Sequence, residues 1–347
     1  MKDLLQFNSS KVNPVYVINS ILISIVLFLH HGSYTILYFD KLNTYYLTYV
    51  LQKFAVGGFF FFSGLKLIIS NSDYSISTFL KKRLFRIYTL YIIALIVASF
   101  TCYPFLNDGN IPSIQNFIIH ALCFQIILPD FFEHNYHTLW FVPVLLICYI
   151  LFLFLQKDIV NTKKFITKQV GICSLVSIVY LYTQDKGVHL FFQDLSIYIL
   201  FFTAGMISVK LNVKNYLKYQ FLLAPVIGNV FLILMYKYLD INTWYIYITY
   251  TVLVITSNIP LFVLSMVLIN KINFSQRTKS ILSQYSFASF CIFLFHRSIW
   301  AVLSTAYPQD GFLQWLFIIL IGVPIIFLCA YSIQHSYNLI PKHFSNK

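Results

Sequence analysis

The chain has 347 residues, of which 59% are hydrophobic and only 10% are charged, and its formal net charge is +13. Soluble globular proteins carry about 25% charged residues, so this chain has too few polar residues to cover the surface of a soluble protein. The basic residues stand between apolar runs, which argues against nucleic-acid binding and favours basic cytoplasmic loops. The composition therefore predicts an all-α membrane protein in contact with a lipid bilayer.

Ten apolar runs approach the length of about 20 residues that a membrane-spanning helix needs. A further apolar stretch, 111–128, is bounded by prolines and carries Gln115, Asn116, His120 and Gln125. We interpret this stretch as an interfacial or re-entrant segment, and an additional span is the alternative. The predicted spans are 13–31, 47–70, 84–102, 138–155, 169–183, 195–211, 220–237, 246–269, 284–305 and 312–335.

The basic residues gather in every second loop. With ten spans, 18 of the 24 Lys and Arg fall on the side that holds both termini, and 8 of the 11 Asp and Glu fall on the other side. The positive-inside rule therefore places both termini in the cytoplasm of a multi-pass protein of the plasma or inner membrane. Since no second domain, repeat or low-complexity segment is visible, residues 1–347 are predicted to form a single transmembrane domain.

Two histidines stand in apolar runs. His30 closes the first span, and Asn19, eleven residues or almost three helical turns earlier, shares its stripe. His296 lies in the outer half of the ninth span and is followed by Arg297. A histidine titrates near neutral pH and can take a proton from a hydroxyl, so both histidines are candidate catalytic residues. For His30 the alternative is a helix cap at the lipid headgroups.

Two arginines mark the predicted cytoplasmic start of the third span. Arg83 and Arg86 are three residues apart in the sequence KKRLFRIYTLY and therefore share a helical face. Two guanidinium groups spaced in this way suit phosphate groups. The alternative is ordinary anchoring to lipid headgroups.

Small, basic and aromatic residues in other spans are expected to pack helices together or to lie at the membrane interface. The second span contains VGGFFFFSGLK, whose small residues, including Ser63, allow a neighbouring helix to approach closely. Lys53 and Lys66 stand near the ends of this span and are expected to reach the membrane interface. Trp140 opens the fourth span at the depth of an aromatic belt. The six cysteines are scattered without a C-x-x-C pair, so we predict core packing and no metal site.

Taken in order, these motifs resemble the acyltransferase 3 family of membrane O-acyltransferases over nearly the whole chain. The chain departs from the family where an arginine usually precedes the first-span histidine by eleven residues, because Asn19 stands there. Thr89 likewise replaces a proline of the family pattern. The matching motifs, in chain order, are LFLHH, FFFFSG, KKRLFRIYTLY, LWFVPVLL, FFTAGM and YSFASFCIFLFH, the last of which starts at Tyr285.

The resemblance implies an enzyme that moves an acetyl- or succinyl-type group from cytoplasmic acyl-CoA to a hydroxyl of a cell-envelope glycan or lipid-linked sugar. Acyl-CoA would be a donor substrate, with no bound cofactor. By the same resemblance His30 and His296 would be the catalytic residues. His30 would act as general base toward the acceptor hydroxyl or carry the acyl group covalently, and His296 or Arg297 would stabilise the developing oxyanion or orient the acceptor. Arg83 and Arg86 would bind the CoA phosphates. Residues expected to support the substrates or the site are Asn19, Ser63, Trp140, Tyr285 and Arg297.

Two other functions fit the same sequence features. One is an exporter or flippase for a surface polysaccharide without acyl-transfer activity, which the missing arginine before His30 favours. The other is a catalytically inactive partner in an envelope-synthesis complex. Transfer of a labelled acyl group from CoA distinguishes the enzyme from both alternatives.

Overall fold

The computed structural model describes residues 13–29, 44–69, 76–131, 136–209, 220–239, 243–306, 313 and 316–344. Most of these residues are helical and none of them forms a strand, so the predicted all-α class is confirmed. Where the structure describes them, the ten predicted spans each overlap a helix. The helices are α1 Pro14–Leu27, α2 Thr44–Ile69, α3 Ile76–Phe100, α4 Cys102–Leu106, α5 Ile114–Ala121, α6 Phe141–Leu155, α7 Thr162–Asp185, α8 Leu195–Ser208, α9 Gln220–Tyr238, α10 Trp244–Lys271, α11 Gln276–Ala306 and α12 Val323–Phe344.

Six helical segments within the described ranges are long and apolar enough to cross a bilayer, as expected of a multi-pass membrane protein. They are Leu47–Ile69, Thr138–Ile159, Thr162–Asp185, Trp244–Lys271, Gln276–Ala306 and Ile318–Leu339. Four shorter apolar helical segments, Pro14–Leu27, Phe85–Phe100, Leu195–Ser208 and Pro225–Met235, accompany them. The number of crossings and the cytoplasmic location of both termini stay predictions.

Helix α1 starts at an asparagine cap. The side-chain oxygen of Asn13 accepts a hydrogen bond from the backbone N–H of Val15 at 2.9 Å, and Pro14 occupies the first helical position, where its missing N–H costs nothing. The stripe that holds Asn19 and, one turn later, Ile23 is buried, since Asn19 is 6% exposed and Ile23 is fully buried. Helix α1 packs between α2 and α11 through this stripe.

Helices α2 and α8 approach each other at two glycines. A Cβ atom at Gly64 would overlap the carbonyl oxygen of Phe202 on α8, and a Cβ atom at Gly205 would overlap the carbonyl oxygen of Phe61 on α2. The two glycines therefore allow backbone-to-backbone contact in both directions, which is typical of helix pairs in membranes. The predicted packing role of the small residues in the second span is consistent with this contact.

We expect Gly205→Ala to destabilise the protein by about 2 kcal/mol or more, because the added methyl group meets backbone that cannot rotate away. Gly171→Ala is the matched control, since Gly171 is also helical but has nothing within 4 Å of the position of an added Cβ. The measurement is thermal unfolding of the purified protein in detergent. Equal melting temperatures for the two variants would contradict the close contact.

The segment between α3 and α6 folds back along α3. The hydroxyl of Tyr88 donates to the carbonyl of Ala121 at 2.7 Å, and that of Tyr91 donates to the carbonyl of His120 at 2.5 Å. Both tyrosines lie near the middle of α3, so the end of α5 reaches the middle of that helix. Because α5 has only eight residues, the geometry agrees with the re-entrant interpretation and not with an additional span.

A buried ion pair joins α2 to the start of α8. Lys53 is only 3% exposed, and its ammonium group pairs with the carboxylate of Asp194. The rings of Tyr49 and Tyr198 face the ammonium at 5.4 and 5.7 Å. The expectation that Lys53 reaches the membrane interface is therefore wrong. Its charge stays inside the protein because a carboxylate and two aromatic rings compensate for the lost water.

Candidate functional site

A cavity of about 240 Å³ lies among five helices, α1, α2, α3, α6 and α11. Four of the residues predicted from the sequence, Asn19, Ser63, Arg83 and Arg86, line it together. The other lining residues are Phe59, Lys66, Ile87, Phe141, Leu145, Tyr149, Ser289, Phe290 and Phe293. Residues that are far apart in the sequence thus form one wall, and the cavity is the candidate functional site.

Cations surround one end of the cavity. Arg83 and Arg86 lie on one face near the start of α3, and Lys66 lies near the end of α2. Both arginines are close enough for their positive charges to repel the Lys66 ammonium. Arg86 and Lys66 are exposed and Arg83 is half-buried, so this cationic end is the mouth of the cavity. Three cations that repel one another at one opening suit a polyanionic ligand.

A hydrogen bond from the last helix, α12, stabilises the turn of α3 that carries Arg83 and Arg86. The hydroxyl of Tyr337 on α12 donates to the carbonyl oxygen of Phe85 at 2.9 Å. Phe85 lies between the two arginines in the sequence, so this bond fixes the backbone at the cationic end.

Three phenylalanine rings pack together at the other end of the cavity. The ring centroids of Phe59 and Phe141 are 6.2 Å apart, those of Phe59 and Phe293 are 6.0 Å apart, and those of Phe141 and Phe293 are 4.5 Å apart. We call these three rings the aromatic layer. Along α2, Phe59 precedes Lys66 by seven residues, which is about 10 Å of helix. The aromatic layer therefore lies about 10 Å deeper than the cationic end.

Polar side chains line the wall between the two ends. The Nδ2 of Asn19 donates to the hydroxyl oxygen of Ser286 at 3.5 Å, which links α1 to α11. The Oδ1 of Asn19 has no hydrogen-bond donor within the described part of the chain, although the residue is only 6% exposed. A buried acceptor on a cavity wall is costly to leave unpaired, so Asn19 suits a ligand with an N–H or O–H group.

His296 lies one helical turn beyond the aromatic layer. It is fully buried, and its ring centroid is 6.1 Å from that of Phe293. Its Nδ1 is 2.9 Å from the carbonyl oxygens of Ile292 and Phe293. Because carbonyl oxygens only accept hydrogen bonds, Nδ1 carries the proton, and the lone pair of the neutral ring is on Nε2. These contacts therefore hold the ring in the tautomer whose Nε2 can accept a proton.

The structure does not bring every predicted residue to the cavity. His30 lies outside the described residues, so its meeting with His296 stays a prediction. In the described ranges, the cavity wall does not include His296, Arg297, Trp140 or Tyr285. The Trp140 ring packs against Tyr198 at 5.1 Å, that is, inside the bundle, and Tyr285 stacks on α12. Arg297 is half-buried beside His296 on α11.

Sequence reasoning missed three classes of lining residue. These are the third cation, the hydroxyl groups and the aromatic layer. A signal was present in the second span, since Phe59, Ser63 and Lys66 follow the spacing i, i+4, i+7 and so share one helical face. Helical periodicity thus places Phe59 and Lys66 on the same face as Ser63. The missed residues are Lys66, Tyr149, Ser289, Phe59, Phe141 and Phe293.

Comparison with known proteins identifies the family. The family model of acyltransferase 3, described as an acyltransferase domain, matches residues 18–333, which is nearly the whole chain. No curated protein matches the chain, and no solved structure does. The matched region contains all the helices that line the cavity except the first residues of α1. The resemblance seen in the motifs is thus confirmed, and the chain belongs to the acyltransferase 3 family of membrane acyltransferases.

Proposed function

We propose that the protein transfers a short acyl group from cytoplasmic acyl-CoA to a hydroxyl of a cell-envelope glycan or lipid-linked sugar in the cell membrane. Membership of an acyltransferase family supports the reaction type. The observation that carries the proposal is the polarity of the cavity, which has Lys66, Arg83 and Arg86 at its mouth and an aromatic end next to His296. Acyl-CoA has the same polarity, with phosphates at one end and an acyl thioester at the other.

The cationic end binds the phosphates of CoA. The forked guanidinium groups of Arg83 and Arg86 donate pairs of hydrogen bonds to phosphate oxygens, and the Lys66 ammonium adds a third positive charge. The pantetheine arm then extends into the cavity, where its amide groups need hydrogen-bond partners. The buried Oδ1 of Asn19 accepts from an amide N–H of this arm, and the hydroxyl of Ser63 serves as a second polar contact.

His296 acts as the general base. Its Nε2 takes the proton of the acceptor hydroxyl, and the hydroxyl oxygen attacks the carbonyl carbon of the thioester. A C–O bond forms, the C–S bond breaks, and the CoA thiolate takes the proton back from the imidazolium to leave as the free thiol. His30 is the proposed partner of His296 in this step, and Arg297 is proposed to orient the acceptor.

The test is a transfer assay in membranes from cells that overproduce the protein. With acetyl-CoA labelled in the acetyl group, we expect label to appear in a glycan or lipid-linked sugar as an ester that mild base removes. Membranes that contain the Arg83→Ala/Arg86→Ala variant at the same level are the control. Export of unmodified glycan without incorporation of label would contradict acyl transfer and favour the exporter.

A further inference from the structure

We infer that Tyr149 is a fourth phosphate-binding residue of the donor site, whose hydroxyl donates a hydrogen bond to a phosphate oxygen of acyl-CoA. The inference rests on the proposed function, because it takes the cavity as the acyl-CoA site. It deepens that function by adding a neutral hydrogen-bond donor from α6 to the three cations at the mouth. Its basis is the position of Tyr149 on the cavity wall beside the arginines.

Tyr149 lies at the cationic end of the cavity and not at its aromatic end. On α6, the lining residues Phe141, Leu145 and Tyr149 follow the spacing i, i+4, i+8 and therefore share one helical face. Phe141 belongs to the aromatic layer, and the eight residues from Phe141 to Tyr149 span about 12 Å of helix. Along α2, Lys66 lies about 10 Å from the same layer. Two helices thus place a phenol and a cation at about the same level.

The neighbouring helix α3 brings both arginines close to Tyr149. The ring of Phe79 on α3 packs edge-on against the Tyr149 ring, with 6.0 Å between the ring centroids. Arg83 and Arg86 follow Phe79 by four and seven residues, so they lie on the same face of α3, about one and two turns further on. Both arginines are close enough for their positive charges to act on the Tyr149 hydroxyl. The phenol and the two guanidinium groups therefore line the same part of the cavity.

The ring of Tyr149 is enclosed by protein, whereas its hydroxyl is left to the cavity. The residue is 5% exposed, and the rings of Phe79 and Phe202 pack against its ring at 6.0 and 5.9 Å. Within the described ranges, no protein group accepts a hydrogen bond from the hydroxyl. An enclosed polar group without a partner costs free energy, so the structure favours an acceptor that occupies the cavity.

The charges around the hydroxyl favour an anionic acceptor. A hydroxyl dipole orients in the local field, so the oxygen of Tyr149 turns toward the guanidinium groups and its hydrogen turns away from them. A phosphate group that the cations hold at the mouth offers several oxygens, and a hydrogen bond to a charged oxygen is stronger than one to a neutral acceptor. The phenol thus adds a donor without adding a fourth positive charge to a mouth where three cations already repel one another.

The test is equilibrium binding of labelled acetyl-CoA to the purified full chain in detergent, which needs no acceptor. Tyr149→Phe keeps the ring and its packing and removes only the hydroxyl. We expect the Kd for acetyl-CoA to rise by about tenfold, because one hydrogen bond to a charged group is lost. The nucleotide part of CoA, 3′-phospho-ADP, carries the phosphates without the pantetheine arm. As a competitor it should lose affinity by the same factor.

Tyr180→Phe is the matched control. Tyr180 on α7 is also 5% exposed and packs on the ring of Tyr247 at 5.6 Å, but it does not line the cavity. Its variant should therefore bind acetyl-CoA as the natural chain does. An unchanged Kd in Tyr149→Phe, equal losses in both variants, or a loss for acetyl-CoA that the nucleotide does not share would overturn the inference alone. Failure of the natural chain to bind acetyl-CoA, or displacement of the label by phosphatidylglycerol, would overturn the proposed function with it.

Discussion

Replacement of His296 by asparagine should lower the kcat of acyl transfer by about 100-fold to 10,000-fold, the usual contribution of a general base. The asparagine amide still donates a hydrogen bond toward the carbonyl of Ile292, as the His296 Nδ1 does at 2.9 Å, but it offers no basic nitrogen. The KM for acyl-CoA should stay within about twofold, since His296 lies beyond the aromatic layer. Initial rates at varied acetyl-CoA concentration measure both quantities.

The chain offers a matched control in His120. Its Nδ1 lies 2.8 Å from the carbonyl oxygen of Asn116, four residues earlier, and the residue is 1% exposed. His120 therefore has the burial and the backbone bond of His296, but its ring packs on Tyr136, whereas that of His296 packs on Phe293 of the aromatic layer. His120→Asn should change stability without changing kcat. Equal losses of kcat in the two variants would show that buried histidines matter for packing and not for catalysis.

The double variant Arg83→Ala/Arg86→Ala should raise the KM for acyl-CoA by about 100-fold or more. A hydrogen bond to a charged group contributes about 1.5–3 kcal/mol, and the variant removes at least two such bonds to phosphate. The kcat at saturating donor should change much less, because the arginines lie at the mouth and not near the thioester. A KM measurement over a wide range of acetyl-CoA concentration checks this expectation.

Two controls separate phosphate binding from membrane anchoring. Arg277→Ala removes an exposed cation near the start of α11 that does not line the cavity, and it should leave KM unchanged. Arg83→Lys/Arg86→Lys keeps the charge but loses the forked geometry, so its KM should lie between those of the natural chain and the alanine variant. If the natural chain and the three variants all have the same KM for acyl-CoA, phosphate binding by Arg83 and Arg86 is contradicted. Anchoring to lipid headgroups is then favoured.

Much of the helical framework could be predicted, because the length of each apolar run by itself indicates a membrane-spanning helix. Within the described ranges, the ten predicted spans all overlap helices, although the helices at the start of the third span and in the fifth extend further than their apolar cores. The gathering of Asn19, Ser63, Arg83 and Arg86 at one cavity was also accessible, since each residue stands out against an apolar background.

The remaining parts of the site depend on which helices become neighbours. The Lys53 and Asp194 pair joins residues 141 positions apart, and nothing local to either residue reveals the other. The run FFFFSG contains four phenylalanines, and composition alone cannot tell that Phe59 faces a cavity while Phe61 packs on α10. Apolar pattern specifies burial, whereas the partner of a buried ring is set by tertiary packing.

The aromatic layer also has a consequence for the energy balance of the cell. A polar cleft that enters a membrane enzyme from one side, with a basic nitrogen near its inner end, can become a leak. Protons and small ions could then cross the membrane down their electrochemical gradient. Along α2 and α11, the three phenyl rings of the aromatic layer lie between the cationic mouth and His296, so apolar surface stands at the level that a file of water would have to cross. Under the proposed function, this apolar level would limit the leak of ions past a charged, water-soluble donor while the bilayer around the protein keeps its electrical insulation.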